Sequence, residues 1–232
     1  ALGIIWAFLP AIATAGLFIV LNKASIVRVD ETDIPYPAFV MISTILWQIF
    51  LDSLHAPLKA ITASKSILVK INFPREALII SAILQALFDI CIKLVILVAV
   101  LGVFQITLTW WILMAPIAIM MLVLLGFLVG LALTPISILY TDISMGIGTF
   151  TTLWLFATPV VYPLPTQGTL STLMKLNPVT LILVPTRDLI TQGMFSYPIP
   201  FTVLSGLVIA GLLAMWIIYR ISIPILIERI SS

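Results

Sequence analysis

Four polar residues recur every fourth position through an otherwise apolar stretch: Ser81, Gln85, Asp89 and Lys93. At that spacing they line one face of a helix. Asp89 and Lys93 are the only charges between positions 77 and 104. Charged side chains among so many apolar ones are expensive inside a membrane and turn away from lipid. Two chemistries fit them. One is a polar path or proton relay through the helix bundle. The other is an internal ion pair that locks this helix to a neighbour. The second needs fewer parts, since Asp89 and Lys93 neutralise each other at this spacing, and the interiors of the other apolar stretches offer no further acid.

A second group is basic. The stretch LHAPLKAITASKSILVKINFPRE, residues 54–76, holds Lys59, Lys65, Lys70 and Arg75, four of the eleven basic residues. Long apolar runs flank it. Lys and Arg near membrane ends are retained on the cytoplasmic side, so this stretch reads as an inside loop and orients everything else. Residues 57–71 suit an amphipathic helix: Leu58, Ile61, Leu68 and Ile71 fall on one face, Lys59, Thr62, Ser66 and Lys70 on another, and Lys65 interrupts the apolar face. Phe73, Pro74, Arg75 and Glu76 then read as a helix start, with proline and an acid in the first turn. Such a helix either lies on anionic lipid or couples to a soluble partner.

Conventional catalytic chemistry is not on offer. No glycine is followed by lysine, so there is no phosphate-cradling G-x-x-x-x-G-K-[ST] loop. With one cysteine, Cys91, and one histidine, His55, the chain has no metal-ligand set and no nucleophile triad. The expectation is a transport, anchoring or receptor chain with no catalytic residue, no metal and no cofactor of its own. No basic stripe points to nucleic acid.

The elements that must position these residues follow from composition. The chain of 232 residues is 62% hydrophobic and 9% charged, where soluble domains carry about 25% charged residues. It reads as one all-α, polytopic membrane domain over residues 1–232. Six runs are long enough to cross: residues 1–21, 38–54, 77–104, 110–133, 145–162 and 201–219. Residues 163–200 hold six prolines, at 163, 165, 178, 185, 198 and 200. Its two apolar pieces, 170–176 and 179–190, are too short to span. They read as re-entrant helices dipping in from the outside, with Asn177-Pro178 as a cap and first-turn proline. Gly126 and Gly130 form a small-xxx-small pair for close helix packing. Phe150, Trp154, Phe156 and Tyr162 load the fifth run with rings that serve either packing or sugar stacking. Both termini are expected inside. Lys59, Lys65, Lys70, Arg75, Arg220 and Arg229 then lie inside, against Lys23, Arg28, Lys175 and Arg187 outside. The chain opens in an apolar run without Met or a basic segment, so a natural N-terminus is expected to precede it.

Four pieces, in order, carry a family resemblance. They are LGIIWAFLPAI (2–12), SILVKINFPREALIISAIL (66–84), ILYTDISMGIGTFTTLWLFATPVVYPL (138–164) and LNPVTLILVPTRDLI (176–190). The set resembles the permease subunits of type-2 ABC exporters, in particular those for polysaccharides and polyol phosphates: O-antigen, capsule and teichoic acid. Thr141 stands where that family usually has an arginine before Asp142.

The resemblance implies a bacterial inner-membrane subunit that pairs with a second copy of itself and with two ATP-binding cassette subunits. ATP and Mg would bind on those partners. Their closure would push on the loop of Lys59, Lys65, Lys70, Phe73, Pro74, Arg75 and Glu76. The cargo would be a lipid-linked glycan moving outward among membrane lipid. Spans one and five would line the path, through Trp6, Phe8, Phe150, Trp154, Phe156 and Tyr162. A permease for drugs or small lipids, and a non-transporting scaffold, are the alternative readings.

Overall fold

A computed structural model describes positions 13, 14, 16–18, 20, 34–70, 76–165 and 167–231, with 64–70, 76, 141, 143–145 and 223–231 described as backbone only. Seven α-helices follow one another from position 36: α1 (Tyr36–Lys70), α2 (Glu76–Val103), α3 (Ala115–Leu139), α4 (Thr141–Phe156), α5 (Thr169–Leu176), α6 (Pro178–Thr191) and α7 (Pro198–Ser231). A 3-10 turn, Trp110–Met114, leads into α3. Before them, the described positions between 13 and 20 are helical.

Four helical stretches among the described residues are long and apolar enough to cross a membrane: Tyr36–Ala63, Ala77–Val103, Trp110–Leu139 and Pro198–Ser222. The apolar window of α1 is 72% buried and that of α7 only 11%. Helix α1 is therefore the centre of the bundle, and α7 lies at its rim. Trp47, Phe50, Ile42 and Leu46 of α1 are wholly enclosed, with α2 and α3 packed along its length.

The closest helix contact has a sequence cause. A Cβ at Gly126 would sit 2.6 Å from the Phe50 carbonyl oxygen and 2.7 Å from the Ser53 Cβ. One at Gly130 would sit 2.7 Å from the Pro57 Cγ. Helix α3 thus lays bare backbone directly on α1, the approach that paired small residues permit.

Two expectations change. The second span does not end near position 54. Helix α1 runs on through Pro57 for 35 residues in all, so residues 57–70 continue it instead of forming a separate amphipathic helix. Pro57 lacks an N–H and deprives the Ser53 carbonyl of its helical donor. That loss is confined to one bond, and the Gly130 surface of α3 receives the proline ring. The fifth run is shorter than the stretch 145–162: α4 stops at Phe156, and Thr158 to Val160 close a tight turn through a 2.7 Å backbone hydrogen bond.

Two short helices stand where the two short apolar pieces were expected. Helices α5 and α6 cover 8 and 14 residues. Asn177 caps α6 by accepting the Val179 N–H at 3.1 Å, with Pro178 in the first turn. Gly193 just beyond α6 takes φ +65, and a Cβ there would strike the Thr109 side chain at 2.5 Å. A glycine serves both demands at once.

Candidate functional site

The polar stripe of α2 comes first. Lys93 is 4% exposed and its ammonium binds the Asp52 carboxylate of α1. The expected Asp89–Lys93 pair is thus replaced by one that ties two helices together. Position 52 falls near the end of the expected second span; because α1 continues, it lies mid-helix and half-buried. Asp89 instead borders a small cleft with Asp52, Lys59 and Gln85. The cleft volume is about 40 Å³, and a water needs at least ~10–15 Å³ and two to four polar partners. These side chains provide both. Ser81, on the same stripe, is exposed.

The second centre is built by aromatic rings. Trp154 of α4 meets Phe50 edge-on at 5.4 Å and Trp47 at 6.3 Å. Its indole N–H donates to the Asn177 Oδ1 at 3.1 Å. The Asn177 amide in turn donates to the Thr158 Oγ1 at 2.8 Å and the Ala157 carbonyl at 3.3 Å. One asparagine therefore joins the end of α4, the turn after it and the start of α6. Tyr162 folds back on the same turn, its hydroxyl donating to the Phe156 carbonyl.

Phe150 and Trp154 do not share one environment. Their rings touch at 5.3 Å, yet Trp154 turns into α1 while Phe150 is 58% exposed. Leu153 and Phe156 are exposed beside it, and Gly146 and Gly148 would meet nothing within 4 Å. Helix α4 thus has one packed face and one open face of rings, threonines and glycines. Phe18 from the helical positions near the start stacks obliquely on Phe156 at 6.4 Å.

The third centre was missed from sequence, where Arg187 counted only as an outside basic residue. Arg187 is 5% exposed. Its Nη1 donates to the Pro159 carbonyl at 3.1 Å and to the Ser43 Oγ at 3.4 Å. Its Nε donates to the Asp188 Oδ1 at 3.3 Å, and its guanidinium lies 4.3 Å from the centre of the Phe39 ring. The only sequence signal was an Arg-Asp pair inside an apolar helix of 14 residues.

Of the expected coupling residues, Lys59 is exposed on α1. The side chains of Lys65, Lys70, Phe73, Pro74, Arg75 and Glu76 lie outside the described residues, as do Trp6 and Phe8.

No family model matches the chain. The O-antigen export system permease protein RfbA of Myxococcus xanthus is 25% identical over 181 residues, which cover 76% of this chain and 68% of that protein. The chain is thus similar to an O-antigen export permease, in line with its resemblance to the permeases of type-2 ABC exporters. With four helices of spanning length among the described residues and a permease as a relative, the chain is a multi-pass membrane protein.

Proposed function

We propose that this permease carries a lipid-linked polysaccharide or teichoic-acid-type polymer from the cytoplasm to the outer face of a bacterial membrane. It works as a pair of identical subunits, driven by two separate ATP-binding subunits that hold ATP and Mg. The observation that carries this reading is the identity with an O-antigen export permease across three quarters of the chain. The open face of α4 supports a path role for Phe150 and Phe156. Exposed rings are stacking platforms for sugars, and the adjoining threonines are hydroxyl partners. The contact of Phe18 with Phe156 favours a first span beside that path.

In this reading six spans cross the membrane: the first run, α1, α2, α3, α7 and α4, whose 16 residues reach ~24 Å and need the chain through Tyr162 to complete the crossing. Helices α5 and α6 dip in from outside and return. At 1.5 Å per residue α6 reaches only ~21 Å, short of the ~30 Å core. Non-helical backbone such as the Asn177 junction survives at depth only where protein encloses it, and the bonds to Trp154 and Thr158 enclose it. The basic end of α1 and the segment to Glu76 face the cytoplasm and receive the ATPases.

The test is deletion of the gene in its host, followed by immunoblotting of surface glycan. Loss of surface polymer, with lipid-linked polymer accumulating inside and rescue by the wild-type gene, is expected. Unchanged surface glycan with impaired efflux of small amphiphiles would overturn the glycan reading in favour of a drug or small-lipid permease.

A further inference from the structure

Beside Arg187 lies a cavity of about 420 Å³, in the range of small-molecule sites (~300–1,000 Å³). Its polar wall comes from Arg187, Asp188, Thr191, Gln192, Ser196 and Tyr197. Phe39, Pro163, Leu164 and Val184 complete it with apolar surface. The cavity is therefore two-sided, with hydrogen-bonding groups facing flat apolar ones.

The charge in this cavity is fixed and cancelled. Arg187 is held by Pro159, Ser43, Phe39 and Asp188, and so does not swing out to seize an anion. Asp188 accepts from the Arg187 Nε on one oxygen and from the Ser196 hydroxyl on the other, at 2.6 Å. A carboxylate has about four acceptor sites, which leaves roughly two for a ligand's hydroxyl groups. With its charge cancelled by Arg187, the pair gives a phosphate no net attraction, and the remaining carboxylate lone pairs call for a donor, which a phosphate oxygen is not. A hydrocarbon would leave the polar wall without partners. A neutral molecule rich in hydroxyl groups satisfies both sides.

Tyr197 adds an independent observation. It has φ +55, a left-handed conformation that is costly for a residue with a bulky side chain. It also precedes Pro198, which restricts its backbone further. Its carbonyl accepts the Phe201 N–H at 3.1 Å, so the residue starts α7. The Lys175 ammonium lies 5.7 Å from its ring centre. Strain of this kind concentrates at ligand clamps, and here it fixes an aromatic ring at the mouth of the cavity.

We propose that this cavity is a carbohydrate site, sized for one or two neutral sugar units, with Asp188, Gln192 and Ser196 reading hydroxyl groups and Tyr197 offering its ring. Its placement on the outward side of a glycan path rests on the export reading above. The binding chemistry does not.

The test uses the wild-type permease, purified with its ATPase partner in lipid nanodiscs. The probes are D-glucose, D-galactose, D-mannose, L-rhamnose and N-acetylglucosamine at millimolar concentration. Saturation-transfer NMR should detect at least one of them. Tyr197→Asn removes the ring with a residue that tolerates the left-handed backbone, and Gln192→Ala trims an exposed rim residue. Each should weaken binding fivefold or more, at normal abundance. If Tyr197→Asn fails to accumulate, Gln192→Ala alone decides. No saturation signal from any of the five sugars, or equal signals from wild type and Gln192→Ala, would overturn the site. Intact glycan export without sugar binding removes this site and leaves the export reading. Sugar binding in a chain whose deletion spares surface glycan removes the export reading and leaves the site.

Discussion

Removing Asp52 should damage this protein more than removing Lys93, although the two form one ion pair. The side chain of Lys93 is 5% exposed and that of Asp52 24%. Truncating one partner of a buried pair leaves an uncompensated charge and costs ~3–5 kcal/mol. Asp52→Leu strands the nearly enclosed ammonium and belongs near the upper end. Lys93→Met strands a carboxylate that still borders the cleft shared with Lys59 and Gln85. Hydration there lowers the penalty to the bottom of that range or below it. Replacing both residues removes both charges, and buried pairs exchanged for apolar residues of similar volume are often neutral or stabilising, by ~1–4 kcal/mol. The double variant Asp52→Leu with Lys93→Met should therefore recover to within ~1 kcal/mol of wild type. Membrane abundance and the midpoint of thermal unfolding in detergent, read by fluorescence-detected size exclusion, order the four proteins. Additive losses in the double variant, or Lys93→Met proving worse than Asp52→Leu, would refute the reasoning.

Four further outcomes are expected. Gly126→Val and Gly130→Val drive a side chain into α1 backbone, which cannot give way as a flexible side chain would; each should lose at least the ~1–3 kcal/mol typical of overpacking, while Gly206→Ala, with nothing within 4 Å, should keep wild-type thermal stability. Asn177→Ala removes a helix cap worth ~0.5–2 kcal/mol together with three further bonds, and should lower the unfolding midpoint more than Trp154→Phe, which removes one of them. Trp154→Ala should reduce membrane abundance by opening the contact with Trp47 and Phe50, at a cost below the ~3–5 kcal/mol of a fully buried ring; Phe150→Ala should leave abundance unchanged and slow glycan export, and normal export would remove Phe150 from the path. Single cysteines at Ser64 and Thr169 in a Cys91→Ser background should label from opposite sides of the membrane, and labelling from one side would sink the six-span topology.

Much of the architecture is legible from composition because lipid imposes few solutions. The positions of α2, the start of α3 and the short helices around Asn177-Pro178 follow from apolar length, proline and capping alone. What escaped was relational. The i,i+4 spacing made Lys93 look paired with Asp89, since a helix advertises its own neighbours and hides those on another helix. Only the true length of α1 places Asp52 inside the bundle, and Pro57 with Lys59 concealed that length by resembling a helix end. Asn177 read as a cap, which it is, but its bonds to Trp154 and Thr158 join residues 19 and 23 positions away. The partners of Arg187 were hidden for a similar reason: Phe39, Ser43 and Pro159 come from distant parts of the chain.

The unbroken run of α1 has a mechanical consequence. Its 35 residues extend ~52 Å, well beyond the ~30 Å hydrocarbon core. Gly126 and Gly130 hold it tightly at Phe50, Ser53 and Pro57, which serves as a fulcrum. From Ser53, the middle of that contact, about 25 Å of helix lies on either side. A push of ~3 Å at the end of the basic arm would then swing the opposite arm, near Phe39 and Ser43, by about 2 Å the other way. That arm carries Phe39 and Ser43, the two residues against which Arg187 rests. On the export reading proposed above, an ATPase stroke at the basic end would reach the sugar-sized cavity at the other end of the helix through a single lever.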